Sequence, residues 1–307
     1  MKTLSYHSNN FCRLSGQMET LFTFGHLHDV KFDNLQKKET KELLSKWSMQ
    51  DGLRAQAFYF DGKFKTYLLD NLIRDFFGSA HVMGNLLRAA EGGHFVPVGT
   101  QAEVVKFQIV PCTLITTEIF DRLIAEDSLV ARTTGALRKC LPDYFQPDAS
   151  IHDPVFPIEV GDQLRKLVLS EYIPECISVD DGDLQEIYSQ SEKDEFLYRL
   201  FGHFVLGGSL CQYEDNLQPY IDVAKIVYKD LMTVSEAREN LPGTECGDVA
   251  NSKRLGIRSV VVKVSSAKNE GYSRDNLLFT IPHINNFMYV IIQPEDQMVF
   301  TLYHHVI

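Results

Sequence analysis

The sequence predicts an α+β fold: a mixed, largely antiparallel sheet with helices packed on it, closed by a C-terminal β-meander. Three observations carry this expectation. Val260, Val262 and Val264 alternate with other residues, and Met298, Phe300 and Leu302 do so again, the period of two that marks a strand with two unlike faces. Between them Phe287 to Ile292 is unbroken apolar, which in a strand implies cover on both faces, so this strand is expected at the centre, beneath helices. Upstream, further strand patterns are interleaved with stretches of helical period, without the regular alternation of a parallel βαβ protein.

Taken in chain order, residues 1–20 are polar and irregular and read as a loosely held arm before Leu21 to Phe24, the first strand. Glu39 to Met49 places Leu43, Leu44 and Trp47 at helical spacing, with the single tryptophan of the chain as a core anchor. Residues 55–60 alternate and end at Asp61-Gly62, a dipeptide suited to a type I′ turn, so a hairpin is expected there. Leu69, Leu72, Ile73 and Phe76 define a helix over 68–77, and a second is expected over 80–90, stopped by Gly92-Gly93. Val104 to Val110 resumes as strand and ends at Pro111.

Thr117 stands where an N-cap would serve a short helix burying Phe120, Leu123 and Ile124, and a similar helix is expected over 130–140. Pro142, Pro147, Pro154 and Pro157 then remove backbone donors, so 141–160 is read as a proline-rich surface crossing. Leu164, Leu167 and Val168 form the face of a helix within 161–170. Asp183 and Glu186 read as a capping pair for 184–189, and Ser191 as the cap of a helix carrying Phe196, Leu197, Leu200, Phe201 and Phe204. Residues 235–257, polar and aperiodic, are read as a mobile loop. The domain organisation expected is an arm at 1–20 followed by one α+β domain at 21–307.

Composition narrows the function classes. With 44% hydrophobic and 23% charged residues the chain is an ordinary globular protein. Its 41 acidic against 30 basic residues, a net charge of −11, repel phosphate backbones, so nucleic acid is not an expected partner. No segment approaches the length of apolar sequence that spans a membrane, and the N-terminus carries no export leader, which places the chain in the cytoplasm. Six cysteines stand singly, with no C-x-x-C pair, as expected of free thiols in a reducing compartment.

The most distinctive stretch runs from Leu206 through Gly207, Gly208 and Cys211 to Asp215, with the helix-like run Pro219 to Leu231 close behind. Cys211 with His203 is the best nucleophile and base pair on offer, as in a cysteine- or metal-dependent hydrolase. On a continuous helix over 192–214 the two would stand about 12 Å apart along the axis, too far for proton transfer. Gly207-Gly208 lacks the lysine of a nucleotide-binding loop and reads better as a helix stop or a close packing contact. Glu214 and Asp215, adjacent on a helix, would diverge rather than share a metal, and read as a solvated acidic end. Asp180, Asp181 and Asp183 around Gly182 fail the calcium-loop register, and nothing in the sequence brings His26 and His28 to His304 or His305. No metal, cofactor or catalytic residue is expected.

Several blocks together resemble the cilia- and flagella-associated protein 300 family. They are Lys46-Trp47-Ser48-Met49, Ala55-Gln56-Ala57-Phe58 with Phe60-Asp61, Val110-Pro111-Cys112-Thr113, Leu206 to Asp215, and Tyr228-Lys229-Asp230-Leu231. The resemblance implies a non-enzymatic cytoplasmic and ciliary factor for assembly and delivery of outer and inner axonemal dynein arms. It implies as partners other dynein-arm assembly factors, axonemal dynein subunits and the intraflagellar transport machinery. A chaperone-like scaffold for unassembled dynein chains is the alternative within the same biology. On that basis a protein-binding surface is expected at Tyr213, Glu214, Asp215, Tyr228, Lys229 and Asp230, charged residues set among aromatics.

Overall fold

A computed structural model describes residues 21–90, 92–140, 161–172, 182–237, 254–269, 271 and 276–307. The arm at 1–20, the proline-rich crossing at 141–160 and most of the loop at 235–257 lie outside the described residues.

The chain is α+β. Its strands are β1 (Thr23–His26), β2 (Leu53–Asp61), β3 (Leu87–Ala90), β4 (His94–Pro97), β5 (Val104–Val110), β6 (Val234–Ala237), β7 (Arg254–Ile257), β8 (Val260–Lys268), β9 (Phe287–Gln293) and β10 (Met298–His304). Its helices are α1 (Lys38–Lys46), α2 (Leu69–Gly78), α3 (Ala80–Asn85), α4 (Gln163–Leu169), α5 (Gly182–Glu186), α6 (Gln190–Asp194), α7 (Phe196–Leu206) and α8 (Gln218–Leu231). Six strands form one sheet in the order β1-β2-β10-β9-β8-β5, every neighbouring pair antiparallel.

The central position of β9 follows from its sequence. All seven of its residues are buried. Phe287, Tyr289 and Ile291 join the core beneath α1, α4, α7 and α8, while Met288, Val290 and Ile292 join the opposite core beneath α2 and α3. Successive side chains of a strand point to opposite faces, so an unbroken apolar run supplies both layers at once. Phe76 on α2 meets Phe24 and Phe58 edge to face at 5.2 Å, and Trp47, fully buried, stacks on Tyr220 at 4.8 Å. The tryptophan is thus the anchor its spacing predicts.

Four local expectations are corrected. Asp61-Gly62 does not close a hairpin. Gly62 takes φ +117°, but both edges of β2 are occupied by β1 and β10, and the chain leaves through a 3-10 turn at Thr66–Leu68 into α2. The helix expected over 80–90 stops at Asn85, because Leu87 N donates to Gln56 Oε1 and Ala89 N to the Tyr303 hydroxyl. Residues 87–90 instead pair with β4, and Gly92 and Gly93, both at positive φ, lie in the turn between them. Residues 130–140 form no helix: Arg132 N bonds Ala136 O, Gly135 turns at φ +82°, and Ala131 bridges to Leu137.

The fourth correction concerns helix starts. Ser191 caps no helix: it lies inside α6, which Ser189 caps in a reciprocal capping box with Glu192. The helix carrying Phe196 starts after Glu195 with no side-chain cap, and Asp183 lies inside the first turn of α5 rather than before it. Thr117 does precede a 3-10 helix at Glu118–Ile124, but its side chain makes no capping bond. The two ends of the expected loop at 235–257 pair as β6 and β7 in a short antiparallel ribbon.

Candidate functional site

Helix α7 ends at Leu206, where Gly207 adopts φ 65° and ψ −166°, a region that side-chain-bearing residues rarely enter. The segment that follows is irregular, so the helix assumed to run through 214 is broken at Gly207. It docks on the C-terminal end of α1, whose last carbonyls have no partner within the helix. Gly208 N donates to Trp47 O at 2.7 Å and Gln212 N to Lys46 O at 2.8 Å. A Cβ on Gly208 would overlap the Ser48 carbonyl oxygen, so the glycine is required by close approach of two backbones.

Glu214 completes the contact. Its carboxylate accepts from Lys46 Nζ at 2.8 Å and from the indole N–H of Trp47 at 3.1 Å, and its backbone N–H donates to the Tyr220 hydroxyl at 2.9 Å. The Glu214 side chain is only 14% exposed, so it is a structural tie between two distant segments rather than a solvated acid. Asp215 differs: its side chain is 88% exposed and meets Lys139 Nζ at 2.5 Å, while its backbone carbonyl accepts from Leu137 N. Tyr213 lies over the guanidinium of buried Arg165, 3.5 Å from ring centroid to Cζ, and Arg165 pairs with buried Asp162, the cap of α4.

The other expected surface residues are placed as follows. Tyr228 is buried, its hydroxyl donating to Leu114 O at 2.9 Å beside Cys112 Sγ at 3.2 Å. Asp230 accepts from Asn34 N, Leu35 N and Asn34 Nδ2, fixing the turn before α1. Lys229 is exposed. Of the six, Asp215 and Lys229 are exposed, Tyr213, Glu214 and Asp230 are half-buried, and Tyr228 is buried.

His203 and Cys211 do not form a catalytic pair. His203 is fully buried, with Nδ1 against Asn285 Oδ1 at 2.6 Å and Nε2 against the Tyr289 hydroxyl at 2.9 Å. Asn285 Nδ2 donates to the carbonyls of His203 and Gly207, at 3.0 and 2.6 Å, so its Oδ1 must accept and His203 Nδ1 must carry the proton. Both imidazole nitrogens are therefore committed. Burial pushes the Cys211 thiol up to about 12, well away from thiolate at neutral pH. Asn285, itself fully buried, also accepts from His304 Nδ1 at 2.7 Å through its backbone carbonyl, and it is the residue that sequence reasoning missed. The only signal for it was indirect: a histidine on an apolar helix face needs a polar partner.

These buried imidazoles make stability fall in acid. Desolvation lowers His304 from 6.5 to about 4 and holds His203 well below 6.5. Below about pH 6.5 the unfolded chain takes up protons that the native state refuses, so stability present above that pH is lost as pH falls toward 4, by roughly 3 kcal/mol for His304 alone. Glu171 works the other way, its carboxyl raised to about 7 by desolvation, and offsets part of this loss; the fully buried His203 adds to His304 and leaves the balance with the imidazoles. The urea midpoint is expected to drop between pH 7.5 and pH 5; an unchanged or higher midpoint at pH 5 would refute the buried neutral pair.

The remaining blocks singled out in the sequence are junctions of the same kind. Thr113 N and Oγ1 donate to Glu195 at 2.9 and 2.6 Å, and Phe196 N to Pro111 O at 2.8 Å, joining the end of β5 to the start of α7. Gln56 in β2 holds Asn85 O and Leu87 N. Among the described residues no cluster of three or more His, Cys, Asp or Glu is arranged to hold a metal ion, and no helix is long and apolar enough to cross a membrane.

Fold and site together define an α+β protein in which a helix-ending glycine pair and its acidic follower lock one segment onto another. The chain belongs to the cilia- and flagella-associated protein 300 family, whose sequence profile matches residues 21–304. Proteins described as cilia- and flagella-associated protein 300 are similar to it in Paramecium tetraurelia, 28% identical over 267 residues and covering 86% of each chain. Another in Chlamydomonas reinhardtii is 28% identical over 264 residues, covering 86% of this chain and 90% of the relative. No solved structure matches.

Proposed function

We propose that this chain is a non-enzymatic factor of the cytoplasm and motile cilium that supports assembly and ciliary delivery of outer and inner axonemal dynein arms by binding other proteins. The family's association with cilia and flagella supports the setting. The observation that carries a binding role is the use made of the most reactive-looking residues: His203, Glu214 and Asp230 are spent on internal hydrogen bonds, and Cys211 is held as a thiol. What they build is a rigid mount for exposed charge, with Asp215 and Lys229 as the presented groups. Dynein-arm assembly factors, dynein subunits and the transport machinery are the partners this reading names.

Ciliated cells lacking the chain are expected to build cilia with few or no outer and inner arms by electron microscopy, and re-expression should restore them. A full set of arms in the null cells would end the proposal. Two substitutions separate presentation from folding. Asp215→Lys should keep the melting temperature, because an exposed ion pair contributes only about 0–1 kcal/mol, while weakening capture of assembly factors. Glu214→Lys should instead lower stability by about 2–4 kcal/mol, since it strands the Trp47 N–H and faces Lys46 with a like charge. Undiminished capture by a folded Asp215→Lys protein would remove Asp215 from the surface.

A further inference from the structure

A cleft of about 360 Å³ opens where β1 ends, between β2 and the junction of α3 with β3. Its walls are of two kinds. Leu27, Val30, Phe32, Ala57 and Leu87 contribute apolar surface. Arg54, His26 and His28 contribute the titratable groups, and no aspartate or glutamate lines it, in a chain whose net charge is −11.

The charged groups around His26 are all basic. His28 stands 4.2 Å away ring to ring, His81 of α3 accepts from His26 N at 3.3 Å, and Arg54 reaches in from β2. Burial, and after it these three neighbours, holds His26 below its ordinary value, and no carboxylate opposes them. The remaining contacts of His26 are Phe58 and Gln56, both neutral. Arg54 lies over the Phe95 ring at 5.6 Å and has no carboxylate within ion-pair distance among the described residues.

One hydrogen bond remains open. Gln56 Nε2 donates to Asn85 O while its Oε1 accepts from Leu87 N, which fixes the amide. The contact of Gln56 Nε2 with His26 Nε2 at 3.3 Å then makes that ring nitrogen an acceptor, so Nδ1 carries the proton. That Nδ1 is buried and has no hydrogen-bond partner, in a ring that lines the cationic cleft.

We propose that this cleft binds an acidic, partly apolar polypeptide segment of a partner protein, with a carboxylate taken by the exposed Arg54 beside His26 and His28 and an adjacent apolar side chain laid on Leu27, Val30 and Phe32. Charge complementarity selects the carboxylate, and the apolar floor selects a peptide over a bare inorganic anion, which would leave that floor wet. A volume near the lower end for ligand sites suits a short segment rather than a folded domain. The proposal rests on the reading of the chain as a binding protein and not on the identity of its cargo, so its failure would leave the dynein-arm test untouched.

The test is fluorescence anisotropy of the full chain with a short labelled peptide of alternating leucine and glutamate. Saturable binding is expected, weakened at least about tenfold when glutamine replaces glutamate, when Arg54 is changed by Arg54→Gln, or when ionic strength is raised. Arg54 is exposed, so the variant should melt with the wild type; His28→Ala supplies a second exposed substitution with the same expected direction. Equal binding of the glutamine peptide, unaltered affinity in both variants, or absence of saturable binding overturns the proposal. So does displacement by inorganic phosphate or by phosphatidylserine vesicles at matched concentration, which would mark a general anion or lipid site.

Discussion

Gly208→Ala is expected to destabilise the protein by about 3 kcal/mol, at the upper end of the range for overpacking a close contact. The alanine Cβ would overlap the Ser48 carbonyl oxygen, which is backbone at the end of α1 and cannot swing aside as a side-chain tip would. Relief requires lengthening the Gly208 N to Trp47 O bond, now 2.7 Å, and with it the neighbouring Gln212 N to Lys46 O bond. The cost therefore includes the docking of the whole segment that Glu214 ties down. Gly84→Ala is the control: Gly84 lies within α3 with open space where a Cβ would go, so alanine there should be neutral or stabilising by about 0.5–1 kcal/mol. Urea unfolding of the three proteins checks this; a Gly208→Ala midpoint equal to wild type with unchanged slope would show that the two backbones do not meet.

Asn285→Leu, which keeps the branched heavy-atom shape of the side chain, is expected to cost about 3–5 kcal/mol, because several buried groups lose their partner together. The His203 Nδ1–H and the carbonyls of His203 and Gly207 all turn on this one amide. Asn285→Asp should rescue nothing at neutral pH: it keeps an acceptor for His203 but replaces the amide donor with an oxygen facing two carbonyl oxygens. Native-state hydrogen exchange should show the last turn of α7 opening in both variants before the sheet does. Retention of wild-type protection at Phe204 to Gly207 in Asn285→Leu would contradict the capping role.

Both expected losses fall on the junction that the family blocks build, and this accounts for the form of those blocks. Lys46 to Met49 and Leu206 to Asp215 are far apart in the chain and look like separate signatures. In the fold they are the two halves of one contact, joined by Gly208, Gln212 and Glu214. The third block, Val110 to Thr113, meets the helix start at Glu195 and Phe196 and the side chain of Tyr228. A cysteine, a histidine and two carboxylates close in sequence suggested chemistry, and the geometry distributes them among separate structural roles.

Sequence alone determined the elements whose partners do not matter to their pattern. The two-faced burial of β9, the strands β5, β8 and β10, the amphipathic helices α2, α4 and α7, and the core position of Trp47 were all legible. In each case periodic burial of side chains is a local property of the chain. The tertiary structure decided what depends on a distant hydrogen bond. Gln56 and Tyr303 draw residues 87–90 out of the expected helix, β10 takes the edge of β2 that a hairpin would need, and the turn at Gly135 is clamped by Asn216 and Leu217. Glu214 and Asp215 carry adjacent carboxylates, yet one is a half-buried tie and the other an exposed charge. A backbone or side-chain polar group accepts whichever partner the fold delivers, and that delivery is a fact of packing among segments tens to hundreds of residues apart, not of spacing along the chain.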